Sequence, residues 1–325
     1  MKARLTTSVI LMLASIPCVN AAQQAAPDAN YPTKPIRLIV PQAPGGSNDI
    51  MARYIGGQLG ERLGRQVVVD NRPGAEGMIG SELVARAAPD GYTLLMASTA
   101  FTMNPAVIRK LPYDPIKDFN FAATLGRAPV VITVGPSLPV NSIKDLVALG
   151  KAKPNYITIA SAGGFMHFVS AMFRSYAGMD AVIALYKGGA PALTDVMGGH
   201  AHMAVPTVVT VAPYLRTGKI KALATGGAKR LAVLPDLPTV SEAGLPGYEA
   251  SIWWAWAATG GTPAAVLNKL NAEVAAILKL PETTKRMAAE GAEVEMRTPA
   301  DIREMIKTDL VKWAKVAQDA NMPKQ

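Results

Sequence analysis

The chain has 325 residues, 33 Lys and Arg against 24 Asp and Glu, a formal charge of +9 and a single cysteine. One cysteine excludes an internal disulfide framework. The positive charge is scattered, with no Lys/Arg block or aromatic–basic platform, which argues against nucleic-acid binding. The length exceeds one ordinary core, so two lobes are expected.

Lys2 and Arg4 precede an uncharged apolar run over residues 5–19, and Val19-Asn20-Ala21 fits a small-x-small cleavage site. Residues 1–21 are therefore predicted to be a secretory signal peptide. At about 15 residues the run is short of the ~20 needed to span a bilayer. Cys18 lies inside it, but Ser15 and Pro17 stand where a lipoprotein signal wants a leucine and a small residue. No later run has transmembrane length, so a soluble periplasmic or secreted protein is expected.

After a polar arm over 23–30 comes IRLIVPQAPGGSNDIMAR, residues 36–53. Its pattern is a short β-branched strand, a Pro/Gly turn, and a helix whose start Ser47, Asn48 or Asp49 can cap. Free N–H groups and the positive end of a helix dipole favour an anion at such a mouth, and glycines let it approach the backbone. The alternative is a plain tight βα turn. Strand 66–69, loop DNRPGAEG (70–77), helix 78–87 and strand 93–97 follow, with Ser98 and Thr99 at the last strand's carboxyl end. Ligands of open α/β sheets sit at that edge. Capping of the next turn is the competing role for both hydroxyls.

Asn104-Pro105 and 111–115 read as irregular, and 119–125 as an extended apolar segment. Strand 130–134 and a capped helix over 141–152 come next. Then YITIASAGGFMHFVSAMF, residues 156–173, repeats the strand–GG–helix design with Ser161, Gly163 and Gly164. Strand 182–186, Lys187-Gly188-Gly189, helix 190–197, strand 202–205, helix 208–216 and strand 220–225 complete an alternation that predicts mainly parallel sheets covered on both faces. A Pro/Gly-rich surface run spans 234–247. An extended segment, 249–258, carries Trp253, Trp254 and Trp256; alternation places the last two on one face and the first on the other. The C-terminal region is helical, and its last helix carries a stripe of Ile302, Met305, Ile306, Leu310, Trp313 and Val316. Those helices need a sheet to bury against. The expected organisation is a discontinuous first lobe, 30–125 and 251–325, and a second lobe, 126–250, with crossings near 121–126 and 250–254.

Three histidines are available, and His200 and His202 lack a Cys, Asp or Glu cluster that would complete a metal site. His167, three residues after Gly164, can donate to a ligand carboxylate or simply pack. A Ser–His–Asp set of Ser98 or Ser161, His167 and Asp49 has no nucleophile elbow around it, so catalysis is disfavoured. Neither a P-loop nor a dinucleotide fingerprint is present. No cofactor is expected. Lys187 can pair with an anion or lie in a surface turn. Asn71 and Arg72 can reach a cleft or brace it.

YPTKPIRLIVPQAPGGSNDIMAR, VVVDNRPGAEGMIGSELVARAAPDGYTLL, YKGGAPALTDVMGG and LPDLPTVSEAGLPGYEASIW together make the chain resemble the Bug family, the TctC-like extracytoplasmic receptors of tripartite tricarboxylate transporters. The resemblance implies an α/β, two-lobed type II periplasmic binding-protein fold with the ligand cleft between the lobes. It implies a small carboxylate ligand and membrane permease subunits as partners. Carried over by position, the ligand contacts are Gly45, Gly46, Ser47 and Asp49, then Ser98 and Thr99, then Ser161, Gly163, Gly164 and His167. Two departures stand out. Phe165 and Met166 follow the second glycine pair, where the family often has Ser or Thr with a polar neighbour. Pro206 and Thr207 occupy a place where many members have Asp. The expected ligand therefore has an apolar or aromatic body and no free ammonium group, with Thr207 added to the site. A periplasmic solute-binding monomer without enzymatic activity, capturing a di- or tricarboxylate or an aromatic acid, is the main reading; a sensor docking on a signalling receptor is the alternative, and an exported Ser/His hydrolase the less favoured one.

Overall fold

The computed structural model describes residues 30–319 with Met322 and Lys324; the predicted signal peptide and Cys18 lie outside these residues. β1 (Ile36–Val40) sorts its side chains by alternation: Ile36, Leu38 and Val40 enter one core and Ile39 another. α1 (Ser47–Leu63) stops at Gly64, left-handed, whose N–H bonds the Gly60 and Glu61 carbonyls. β2 (Val67–Asn71), α2 (Met78–Ala85), β3 (Thr93–Ser98) and α3 (Thr99–Val107) follow. Asn104 and Pro105 belong to α3, where irregular chain was expected. Pro105 withholds one helix hydrogen bond, but every residue from Thr99 to Asn104 is buried, and that packing outweighs the breaker.

β4 (Phe119–Pro129) runs almost directly into β5 (Val131–Val134). α4 (Ile143–Ala152) starts at Ser142, whose side chain accepts the Asp145 N–H at 3.1 Å. Then come β6 (Ile157–Ser161), α5 (Gly164–Ala177), β7 (Ala181–Leu185), α6 (Gly189–Gly198), β8 (Met203–Ala204), α7 (Val208–Arg216) and β9 (Lys221–Thr225). After the Pro/Gly-rich run, β10 (Ser251–Thr259), α8 (Ala264–Leu278), α9 (Pro281–Ala289), β11 (Glu293–Val294) and α10 (Pro299–Asp319) complete the chain. Among the described residues no helix is long and apolar enough to cross a membrane.

The strands form two sheets, ordered β11-β4-β10-β3-β1-β2 and β7-β6-β8-β5-β9. Both are mixed rather than mainly parallel. β1 is parallel to β2 and β3, and β6 to β7 and β8; but β10 is antiparallel to β3 and β4, and β5 to β8 and β9. The antiparallel members are strands that carry the chain between sheets without an intervening helix, which β/α alternation does not report. The first crossing lies at Val130 because β4 stays paired with β10 as far as Pro129. There Gly226 donates to the Val130 carbonyl at 2.8 Å and Ala250 to the Gly226 carbonyl at 2.8 Å, so both crossings meet.

The first sheet buries both faces. Leu38, Leu94, Met96, Trp254 and Trp256 share a core with Met51, Ile55, Leu270 and Val274 of α1 and α8. Ile39, Leu95 and Trp253 face Val84, Phe101, Ile302 and Ile306 of α2, α3 and α10. The tryptophans thus divide as alternation requires. Farther along α10, Trp313 stands edge-on to Phe168 of α5, ring centroids 5.3 Å apart, so this helix reaches from the first sheet to the second.

Candidate functional site

A cavity of about 480 Å³ lies between the loops at the ends of the two sheets, and the first turns of α1, α3, α5 and α6 all reach it. None of these helices has a side-chain hydrogen bond from its own N-cap residue. First-turn N–H groups have no intrahelical partner, so helix ends grouped this way favour negative charge. Between them the wall is apolar: Ala100, Ala162, Phe165, Met166, Leu185 and Ile252. Lys187 stands at the rim, exposed, and forms no ion pair among the described residues.

Loop contacts close one edge. A Cβ on Gly188 would lie 3.1 Å from the Ala43 Cβ, and Gly188 holds φ +129°; glycine permits both the conformation and the approach.

Of the residues marked in the sequence, Ser47, Ser98, Gly163 and Gly164 line this cavity. Gly46 is the N-cap of α1, and Gly45 gives its N–H to Asp49 at 3.0 Å. Asp49 turns toward its own loop. It takes Arg53 Nη2 at 2.9 Å and Asn71 Nδ2 at 3.0 Å, so its oxygens brace the turn instead of facing the cavity. Burial works against its charge, but the bonds from Arg53, Gly45 and Asn71 prevail and hold the carboxyl below the usual Asp value. Asn71 likewise braces: its Nδ2 also donates to the Gln42 carbonyl at 3.1 Å.

Ser98 and Thr99 separate. Thr99 is fully buried and accepts the Trp253 N–H at 3.0 Å, which fastens α3 to β10. Ser98 Oγ accepts Asn48 Nδ2 at 3.1 Å, while its own proton meets no acceptor among the described residues and is available to a ligand. Ser161 is buried behind the second mouth; its carbonyl takes the Tyr186 N–H at 2.8 Å. Thr207 lines a smaller chamber of about 70 Å³ that shares Ser47, Ala162, Met166 and Gly189 with the main cavity.

His167 lies on another side of α5. It lines a neighbouring cavity of about 570 Å³ with Met103, Val107 and Arg174, which meets the first at Glu76 and Gly164, and its Nδ1 is buried without a partner. Burial holds its imidazole below the usual His value; the Glu76 charge opposes that shift and Arg174 assists it. Neither Ser98 nor Ser161 lines this cavity, and Asp49 is committed to Arg53 and Asn71, so no Ser–His–Asp set assembles. Among the described residues no group of three or more His, Cys, Asp and Glu is placed to hold a metal.

Several contributors were not among the expected ligand contacts. Asn48 is 4 % exposed; it donates to Ser98 and to Gln42 Oε1 and accepts the Trp254 indole N–H at 2.9 Å, which ties the floor of the first mouth to β10. Tyr186, Gly188 and Gly189 join the wall from the β7–α6 turn, and Glu76 from the loop before α2. The β7–α6 turn is a third strand–GG–helix unit, a signal the sequence held in YKGGAPAL.

The model of the "Tripartite tricarboxylate transporter family receptor" (TctC) matches residues 51–322. Protein BugT of Bordetella pertussis is 33% identical over 293 residues, covering 89% of this chain and 90% of BugT. Among solved structures, R. palustris Rpa4515 with adipate superposes with a TM-score of 0.88 at 33% identity, covering 91% of this chain and 100% of that one. MatC (Rpa3494) from Rhodopseudomonas palustris with bound malate gives a TM-score of 0.84 at 29% identity, covering 88% and 99%.

Proposed function

Because the chain belongs to the tripartite tricarboxylate transporter family of receptors, we propose that its cleft captures a small organic carboxylate and that the loaded protein delivers it to membrane permease subunits of that transporter type. The family is one of substrate-binding receptors, not of enzymes. The observation that carries the ligand class is the grouping of the α1, α3, α5 and α6 first turns, with exposed Lys187, around an apolar cavity. An anion is drawn by the helix ends, and an aliphatic or aromatic body by Phe165, Met166 and Ile252. The contacts we assign to the ligand carboxylate are the N–H groups of Gly46 and Ser47 and the Ser47 and Ser98 hydroxyls; Gly163 and Gly164 line the far wall, where the Gly164 N–H is held by Glu76, and Thr207 stands in the side chamber. Glu76 is the acidic residue on the wall, and its carboxylate already accepts the Gly164 N–H. Capture follows population shift: contacts from both lobes make the closed form the better binder. This reading places the mature chain in the periplasm as a monomer.

Thermal unfolding against aliphatic mono-, di- and tricarboxylates, aromatic acids and amino acids tests it. A ligand at about 100 times its dissociation constant adds ~2.7 kcal/mol. One acid class should raise the midpoint, and Ser98→Ala and Lys187→Ala should shrink that rise. Amino acids as the best ligands would overturn the ligand class. No shift with any acid, together with no acid released on denaturation and detected by mass spectrometry, would overturn the carboxylate reading.

A further inference from the structure

The loop between β2 and α2 sends one acidic side chain across the cleft. Ala75 and Glu76 take φ +45° and +55°, and Asn104 Nδ2 donates to the Glu76 carbonyl at 3.0 Å, which fixes the loop from the first lobe's side. The Glu76 carboxylate then accepts the N–H of Gly164, at the start of α5 in the second sheet's layer. It lies against both glycines: a Cβ on Gly163 would stand 3.6 Å from each carboxylate oxygen, and one on Gly164 would stand 3.3 Å from Oε2. No lysine or arginine pairs with it among the described residues. The start of α5 is what balances its charge.

The opposite end of the same cavity differs. Asp49, the carboxylate in the first turn of α1, is paired with Arg53 and Asn71 and does not line the cavity, and Ser98, 2 % exposed, keeps a hydroxyl proton to give. The helix end of the second mouth is thus occupied by the protein's own carboxylate, the first mouth offers donors, and apolar side chains lie between. A second carboxylate on a ligand that reached α5 would meet Glu76, a like charge in a partly enclosed space where repulsion is weakly screened.

We propose that Glu76 is a built-in carboxylate that fills the α5 anion position and makes the cleft select ligands with one carboxylate, seated at α1 and Ser98, over their dicarboxylate counterparts. This rests on the carboxylate reading above and adds which carboxylates. Two relatives were solved with adipate and with malate, both dicarboxylates, so the proposal sets this cleft a preference that the fold alone does not dictate.

The test is calorimetric titration of wild type, Glu76→Gly and Glu76→Gln with three matched pairs: butanoate and succinate, hexanoate and adipate, benzoate and terephthalate. Glycine suits the positive φ and clears both volume and charge; glutamine keeps the volume and an acceptor for the Gly164 N–H but drops the charge. Circular dichroism and thermal midpoints confirm that both variants fold. In at least one pair, wild type should bind the monocarboxylate about tenfold tighter or more. Both variants should narrow or invert that ratio, glycine more than glutamine, by tightening dicarboxylate binding. Wild type binding the dicarboxylate of each pair as tightly, or variants that leave the ratio unchanged while still binding, would overturn the role of Glu76 and leave the carboxylate reading standing. No binding of any of the six acids by wild type or variants would count against the carboxylate reading itself and the selectivity with it.

Discussion

Asn48→Ala probes the joint on which the first mouth sits. The carboxamide is 4 % exposed and accepts the Trp254 indole N–H at 2.9 Å; Trp254 is 0 % exposed. Truncation strands that N–H where no water reaches it, at a cost of ~1–3 kcal/mol. Ser98 and Gln42 also lose a donor. Both line the cavity and can turn to water, so they add only about 0.5–1 kcal/mol together. The sum is about 1.5–4 kcal/mol, or roughly 3–8 °C in midpoint at ~2 °C per kcal/mol for a long chain. Calorimetry and urea unfolding followed by tryptophan fluorescence measure it. Trp254→Phe removes the donor itself, so the double variant should cost less than the sum of the singles by about 1 kcal/mol or more. Strict additivity, or a loss below about 0.5 kcal/mol for Asn48→Ala, would refute the claim that this bond anchors the start of α1 to β10.

His202 should act as an acid-sensitive seam in the second sheet. Its Nδ1 accepts the Thr158 N–H at 3.0 Å, and burial holds its imidazole below the usual His value. The unfolded chain takes the proton first, so this contribution is full above about pH 6.5 and is lost as pH falls through that value toward the folded one. His202→Gln should flatten the midpoint-versus-pH slope between about pH 7 and 5 relative to wild type, and an unchanged slope would count against the reading. Asp49, also lowered, contributes above about pH 4 and loses that contribution as pH drops through its folded value. Asp49→Asn should therefore cost about 1 kcal/mol at neutral pH and progressively less as the pH falls below about 4, measured by urea midpoints. At the closed edge, Gly188→Ala combines φ +129° with a 3.1 Å approach to Ala43; it should lower the midpoint by an amount worth about 1–2 kcal/mol and weaken binding of whichever acid stabilises wild type.

Local chemistry made most elements readable. The β-branched run at Ile36–Val40 and the capped helix expected over 141–152 rest on signals that act within a few residues, and both elements formed, the helix starting at Ile143 behind a Ser142 cap. The tryptophan division followed from period two alone. What failed was set by distant packing. α3 keeps its helix through Pro105 because its surroundings bury it, and β4 extends to Pro129 because β10 pairs with it from far along the chain. Strand direction was misjudged for the same reason: no helix separates β4 from β5, so neither sheet is mainly parallel.

The mouths were legible as backbone and much less so as side chains. A strand–GG–helix pattern says that N–H groups will point outward, and Ser47, Gly163 and Gly164 from two such units line one cavity. It does not say where a polar side chain two residues on will turn. Asp49 and Asn48 are neighbours in the first turn of α1, yet Arg53 and Asn71 draw the first back into its own loop, while Trp254 and Ser98 draw the second under the cleft. Partners remote in sequence make that choice. Glu76 is the extreme case, since its role depends on a helix end 88 residues away in the other sheet's layer. Backbone donors set the kind of charge the cleft favours, and on the proposal above a side chain that crosses the cleft, Glu76, sets how many such charges a ligand brings.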